Sequence, residues 1–297
     1  MKSFKQLAII GSTASGKTAL SLQMAKEMNA SILSLDSLSI YKEINIVSAK
    51  PTKEEQGDIK HFGLDYLFPD EPFDVTVFID LYKKVYQECI ENSKNLVIVG
   101  GTGFYLKMLL NGVSPLPKIS KETHLKTQEY LQNLQESYEW LYALDKGYMS
   151  TIKSNDKYRI EKVLNIYLQS SLMPTEYFNQ FPPIPTIQSP LPIHQIEWDR
   201  SILRERIVLR TKQMLNNGLI DEVCYLEKKY SRQPNSMKSI GIKETLAYLD
   251  GKYNKQMLLE KIIINTSRLA KRQMTFNNSQ FRGVIKGEIK KLEKILN

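Results

Sequence analysis

The sequence predicts an α/β protein, a parallel sheet with helices on its faces, interrupted by a helical insertion domain. Three observations predict it. Short apolar runs bounded by turn or polar residues alternate with helical patterns, a glycine-rich loop ending in Gly-Lys-Thr joins the first run to the first helix, and two groups of prolines bracket a long helix-patterned stretch.

The apolar runs fall at residues 7–10, 31–35, 95–99 and 193–198. Each is short and largely apolar, as strands covered on both faces by helices are. Between the third and fourth, Pro115 and Pro117 stand on one side and Pro182, Pro183, Pro185, Pro190 and Pro192 on the other. Residues 118–181 between them carry helix-like spacing, with Leu125, Tyr130, Leu134, Trp140, Leu141 and Leu144, then Ile160, Val163, Leu164, Tyr167 and Leu168. Proline stops helices and stiffens linkers, so the clusters read as hinges. The expected division is a core of residues 1–114 and 193–297 around an insertion of residues 115–192. Beyond Asp199 helices are expected at 200–216, 219–230, 240–249 and 255–273, and the tail KGEIKKLEKIL reads as a solvated amphipathic helix.

At 297 residues, 42% apolar and 25% charged, the composition is that of a soluble globular protein. No run approaches the 18 or so apolar residues of a membrane span, and the start MKSFKQLAIIGS leads into a strand instead of a signal peptide, so a cytoplasmic protein with no membrane association is expected. A monomer is the default. Cys89 and Cys224 stand alone without CxxC spacing, which argues against a disulfide framework or a zinc site; both read as reduced and structural. The net charge of +9, concentrated in the C-terminal half, favours an anionic partner, with nucleic acid one of several that fit.

Gly11-Ser12-Thr13-Ala14-Ser15-Gly16-Lys17-Thr18 matches G-x-x-x-x-G-K-[ST] in full, between a predicted strand and a predicted helix at 19–28. A chance match in a chain this long has odds of about one in a hundred; the alternative is a plain glycine turn. Small residues let the backbone wrap so that several N–H groups point inward. The helix N-terminus adds partial positive charge, Lys17 a full one, and the Thr18 hydroxyl can ligate Mg²⁺. This is a P-loop NTPase-like core that holds a di- or triphosphate as donor, fuel or leaving group. A nucleotide-driven machine would offer an acid after an apolar strand to hold Mg²⁺, but the run at 95–99 leads into Gly100-Gly101-Thr102-Gly103. The acid at a strand end is Asp36, either a metal ligand or a base aimed across the loop.

GSTASGKT, SLDSLSIYKEINIVSAKP (34–51), VGGTGFYLKMLLNGVSPLP (99–117), SIGIKETLAYLDG (239–251) and TSRLAKRQMTF (266–276) resemble, in order, the motifs of the tRNA dimethylallyltransferases. The resemblance runs from residue 11 to about 276. It implies transfer of a dimethylallyl group from dimethylallyl diphosphate to the N6 amine of the adenosine 3′ to the anticodon, in tRNAs reading codons that begin with U. The implied partners are the tRNA anticodon stem-loop and dimethylallyl diphosphate, and the implied cofactor is Mg²⁺, at Thr18. Gly11 to Thr18 would then grip a leaving diphosphate. The pattern is also the ATP-binding one, although this chemistry does not require ATP.

By the same resemblance Asp36 is the general base, and Thr102 bonds the adenine near the reacting nitrogen. The local alternatives are an Asx-turn or helix N-cap for Asp36 and an N-cap for Thr102. Asp36, Ser37, Leu38, Ser39 and Thr102 would line the tRNA contact. The insertion would contribute His124, Lys157, Tyr158, Arg159 and Lys162, and the core Lys238, Lys243, Lys271, Arg272 and Gln273. The alternative for any one of these cations is a solvated face. Lys238, His124 and Lys162 replace common arginines and so lose the bidentate fork. Ser12 replaces a usual proline and Phe276 a frequent tryptophan. The rival readings are a small-molecule or nucleoside kinase, which would need a lid presenting arginines, and a non-catalytic RNA-binding P-loop protein. Arg159 is the sole arginine of the insertion.

Overall fold

The computed structural model describes residues 4–289 and 292. In chain order the elements are β1 (Gln6–Gly11), α1 (Lys17–Glu27), β2 (Ala30–Ser34), α2 (Lys53–Gln56), β3 (His61–Phe62), α3 (Val75–Glu91), β4 (Asn95–Gly100), α4 (Gly103–Asn111), α5 (Lys121–Tyr130), α6 (Leu134–Leu144), α7 (Lys146–Met149), α8 (Lys157–Ser170) and α9 (Pro174–Gln180). Then come β5 (Ile193–Ile196), α10 (Arg200–Asn216), α11 (Leu219–Tyr230), a 3₁₀ turn at Asn235–Lys238, α12 (Ile242–Leu249), α13 (Lys255–Gln280) and β6 (Ile285–Gly287).

The sheet is six-stranded in the order β3-β2-β4-β1-β5-β6, and its pairings are all parallel. β1 lies inside it, flanked by β4 and β5, so the loop that follows β1 emerges at the strands' C-terminal edge, where ligands of open α/β sheets bind. Leu7, Ile9, Ile32, Val97 and Ile196 bury their side chains with Leu20 and Met24 of α1, which fixes the helix against the sheet and its N-terminus over the loop.

The four expected strands are present; β3 and β6 were not expected. A two-residue His-Phe strand has no periodicity to read, and β6 lies in the lysine-rich tail. The expectation of a wholly solvated tail helix is therefore corrected: Ile285–Gly287 pairs with β5, Ile289 packs on the core cluster, and Leu292 is buried in it. The rest of that tail lies outside the described residues. Cys89 is buried on α3, whereas Cys224 is exposed and not a core residue.

The chain divides into two compact units, residues 1–108 with 187–297, and residues 109–186. The second unit begins six residues earlier than the proline clusters suggest, because Leu109 O accepts the Thr186 N–H at 2.9 Å and Val113 bridges Ile184. It also ends six residues earlier: Pro192 O already accepts the Ala8 N–H at 2.8 Å, leading into β5. The second unit is all helix apart from that bridge, with Leu141, Met149, Ile160, Val163 and Leu164 in its own core.

Candidate active site

The loop after β1 is shaped by glycine at two points. A Cβ on Gly11 would lie 2.9 Å from Ser15 Oγ and 3.2 Å from the Ile196 carbonyl, so the chain there must stay bare. Gly16 caps α1 in the left-handed region at φ +89°. Ala14 is left-handed too, at φ +61°, a strain of about 1 kcal/mol or more for a residue with a Cβ. Bonds from elsewhere in the unit hold this shape. Arg206 Nε donates to Ala14 O at 2.7 Å, Trp198 Nε1 donates to Ser15 O at 2.8 Å, and Gln273 Oε1 accepts the Thr13 N–H at 2.8 Å. The Arg206 guanidinium also lies over the Trp198 ring, 5.1 Å from its centroid.

Lys17 opens α1 and folds back over the loop, its Nζ donating to Ser12 O at 2.6 Å. Burial, and then the charge of Arg210, push its pKa down to about 8, with Asp36 opposing. Arg210, on α10, donates to Thr13 Oγ1 at 3.3 Å and to Ser48 O at 3.4 Å. Its own pKa is lowered by burial, again opposed by Asp36. Two half-buried cations thus share one carboxylate, a surplus of positive charge in a partly desolvated place. An anion with two or more charges relieves it.

Asp36 follows β2. Its Oδ1 accepts the Leu38 N–H at 2.8 Å and the Ser39 N–H at 3.1 Å, so the Asx-turn, the local alternative for this residue, is formed. Oδ2 makes no hydrogen bond among the described residues, which leaves it available to a substrate.

Two cavities meet at Asp36. The smaller, of about 110 Å³, is lined by Lys17, Thr18, Ser34, Asp36, Ser39 and Arg210 among others. The larger cleft, of about 520 Å³, is lined by Asp36, Ser37, Leu38, Thr102, Lys238, Lys243, Arg268 and Arg272. Thr13, Ser48, Arg210 and Gln273 also border both. Thr102 reaches the cleft because the turn after β4 is pressed close: a Cβ on Gly100 would lie 2.6 Å from Leu35 Cβ, and one on Gly101 2.5 Å from Gln273 Nε2. The Thr102 N–H donates to Leu35 O at 3.2 Å, which fixes the threonine one residue from Asp36 across the turn. Its hydroxyl makes no hydrogen bond among the described residues.

Of the expected site residues, Thr13, Ala14, Lys17 and Thr18 of the loop, with Asp36, Ser37, Leu38, Ser39, Thr102, Lys238, Lys243, Arg272 and Gln273, thus border one or both cavities, whereas Gly11, Ser12, Ser15 and Gly16 border neither. Lys271 does not; it borders a separate groove between α10 and α13. Gln273 spends its carbonyl on the loop backbone. Lys157, Tyr158, Arg159 and Lys162 are exposed together on α8 of the second unit, where Arg159 pairs with Asp156 and Lys162 Nζ lies over the Tyr158 ring; His124 is exposed on α5. Sequence reasoning missed Arg206, Arg210 and Trp198. A signal existed: Arg206 and Arg210 are one turn apart and flank Ile207 and Thr211, the buried stripe of α10, where an arginine needs a partner.

The model of the IPP transferase family matches residues 39–280 of the chain. A tRNA dimethylallyltransferase from Sulfurovum sp. (strain NBC37-1) is 64% identical over 292 residues, covering 98% of this chain and 97% of that protein. One from Sulfurimonas denitrificans is 57% identical over 291 residues, covering 98% of each. The crystal structure of a tRNA isopentenylpyrophosphate transferase from Bacillus halodurans superposes with a TM-score of 0.71 at 28% identity, covering 99% of this chain and 95% of that one.

Proposed function

The chain belongs to the IPP transferase family of tRNA dimethylallyltransferases, and on that premise we propose that it moves a dimethylallyl group from dimethylallyl diphosphate to the N6 amine of the adenosine 3′ to the anticodon of tRNA. The observation that carries this reading is Asp36 at the junction of the two cavities. The smaller cavity suits the diphosphate and the larger cleft the nucleotide, so the reacting carbon and nitrogen meet beside a carboxylate. The kinase reading is not favoured, and no observation in the site supports a phosphoryl acceptor.

In this mechanism the exocyclic amine attacks C1 of the allylic donor as the C1–O bond to the diphosphate breaks. Asp36 Oδ2 takes the proton that the amine sheds, which in comparable reactions contributes roughly two to four orders of magnitude. Thr102 holds the adenine edge. The departing oxygens gain negative charge, and Lys17, Arg210 and the loop N–H groups are in place before the reaction begins. An adenosine in an anticodon loop must leave its stack to reach Asp36, at a cost of a few kcal/mol that contacts elsewhere offset. Lys238, Lys243 and Arg272 around the cleft supply part of it.

The donor set fits Mg²⁺ arriving with the diphosphate. Thr18 offers a hydroxyl beside Asp36, and the described residues contain no cluster of three or more His, Cys, Asp or Glu able to hold a metal. A hard cation of this size takes few protein oxygens when phosphates and water complete its shell. When bound it supplies charge neutralisation on the leaving group. Incubation with unmodified tRNA, labelled dimethylallyl diphosphate and Mg²⁺ tests the reading: label should appear on the tRNA adenosine. Phosphate transfer from ATP to a small molecule, with no label on tRNA, would overturn it.

A further inference from the structure

We infer that the groove between α10 and α13, outside the cleft at Asp36, is a second binding surface for the tRNA, holding backbone phosphates on Arg200, Arg204, Arg268 and Lys271 and a ribose or splayed base on its floor. This rests on the reading above that the substrate is RNA. The groove has a volume of about 470 Å³, and Leu203, Ile207, Ile263, Ala270 and Met274 form its apolar floor. Arg200 and Arg204 stand one turn apart on α10, and Arg268 and Lys271 one turn apart on α13.

Charge carries the assignment. Some exposed cations elsewhere in the core are paired: Arg232 with Glu227 and Asp250, Lys229 with Glu43, Lys286 with Glu197. Arg200, Arg204, Arg268 and Lys271 have no ion pair among the described residues, and no carboxylate lines the groove. Four like charges gathered on one feature repel one another until a polyanion arrives. Continuity selects RNA. Ile207 and Arg268 border both this groove and the cleft containing Asp36 and Thr102, so the groove adjoins the cleft on the other side of α13. A concave floor between two helices accepts a nucleotide's ribose or base, as single-stranded RNA is commonly held, and is out of reach of a flat lipid surface.

The test measures binding of unmodified tRNA to the full-length protein by fluorescence anisotropy between 50 and 200 mM salt, without donor. R200E/R204E should weaken binding at least about tenfold at the lowest salt and reduce the slope of log K against log[salt] by roughly one to two. R200Q/R204Q should give a smaller loss in the same direction, and K83E/K84E on α3, with the same charge change as R200E/R204E, no comparable loss. The donor KM should be unchanged in all three. Affinity and salt slope equal to wild type in both arginine variants would overturn the proposal. So would wild-type binding to anionic phosphatidylserine vesicles that R200E/R204E abolishes while tRNA binding persists. Because donor is omitted, absence of prenyl transfer would sink the functional reading and leave the groove's RNA contacts separately measured.

Discussion

Gln273, near the end of α13, accepts the backbone N–H of Thr13 at 2.8 Å, tying the helix to the P-loop across 260 residues of chain. Its amide nitrogen meanwhile lies where a side chain on Gly101 would go. One side chain thus sets the spacing between the loop and the turn that carries Thr102. Gln273→Ala leaves the Thr13 N–H without its partner, at about 1 kcal/mol or more, so the donor KM should rise about fivefold or more with tRNA affinity little changed. Steady-state kinetics with each substrate varied in turn check this.

Arg210 should matter to the donor more than any residue outside the P-loop. Arg210→Ala removes one of the two cations beside the diphosphate, and kcat/KM for the donor should fall at least about a hundredfold, roughly the loss expected for one preorganised charge at a leaving group. Arg210→Lys should recover only part of it, since a lysine cannot donate to Thr13 Oγ1 and Ser48 O from one planar group.

The lowered pKa of Lys17 gives a pH dependence with a definite sign. On the proposed reading the diphosphate binds the protonated amine, so affinity should hold below about pH 8 and fall above it, by up to tenfold per unit. Folding behaves oppositely. Between about 8 and the ordinary value of 10.5 the unfolded chain holds the extra proton, so stability contributed by this group rises with pH across that window. Titration with a thiolodiphosphate analogue of the donor, already fully ionised at pH 7.5, should show the step in wild type and none in Lys17→Met.

The segment after Asp36 is anchored by Glu222 on α11, whose carboxylate accepts the N–H groups of Asn45, Ile46 and Val47 at 2.8–2.9 Å. Glu222→Ala orphans three donors and should lower unfolding stability by about 1–3 kcal/mol. A denaturant melt measures it.

How much of this was legible follows from range. The P-loop is a contiguous stretch whose spacing exposes it, and Asp36 stands out as an acid at a strand end, but the roles expected of Asp36 and of Thr102 in the Gly100–Gly103 turn come from the family resemblance. The strands around β1 are legible locally, each a continuous apolar run. Arg210, Arg206 and Glu222 act on residues 160 or more positions away; the buried stripe that Arg206 and Arg210 flank hints that they are partnered, but nothing local names the partner. Lys271 shows the converse: beside Arg272 in sequence, it points to a different groove because neighbours on a helix are about 100° apart. Strands β3 and β6 are edges of two and three residues, ordered by pairing that no pattern within them announces.

The most direct measurement is single-turnover prenyl transfer by Asp36→Asn. Asparagine keeps an oxygen for the Leu38 and Ser39 N–H groups, so the turn survives while the base is lost. The transfer rate should drop at least about a hundredfold with donor and tRNA affinities within a fewfold of wild type. A rate near that of wild type would contradict the placing of donor and nucleotide on either side of Asp36.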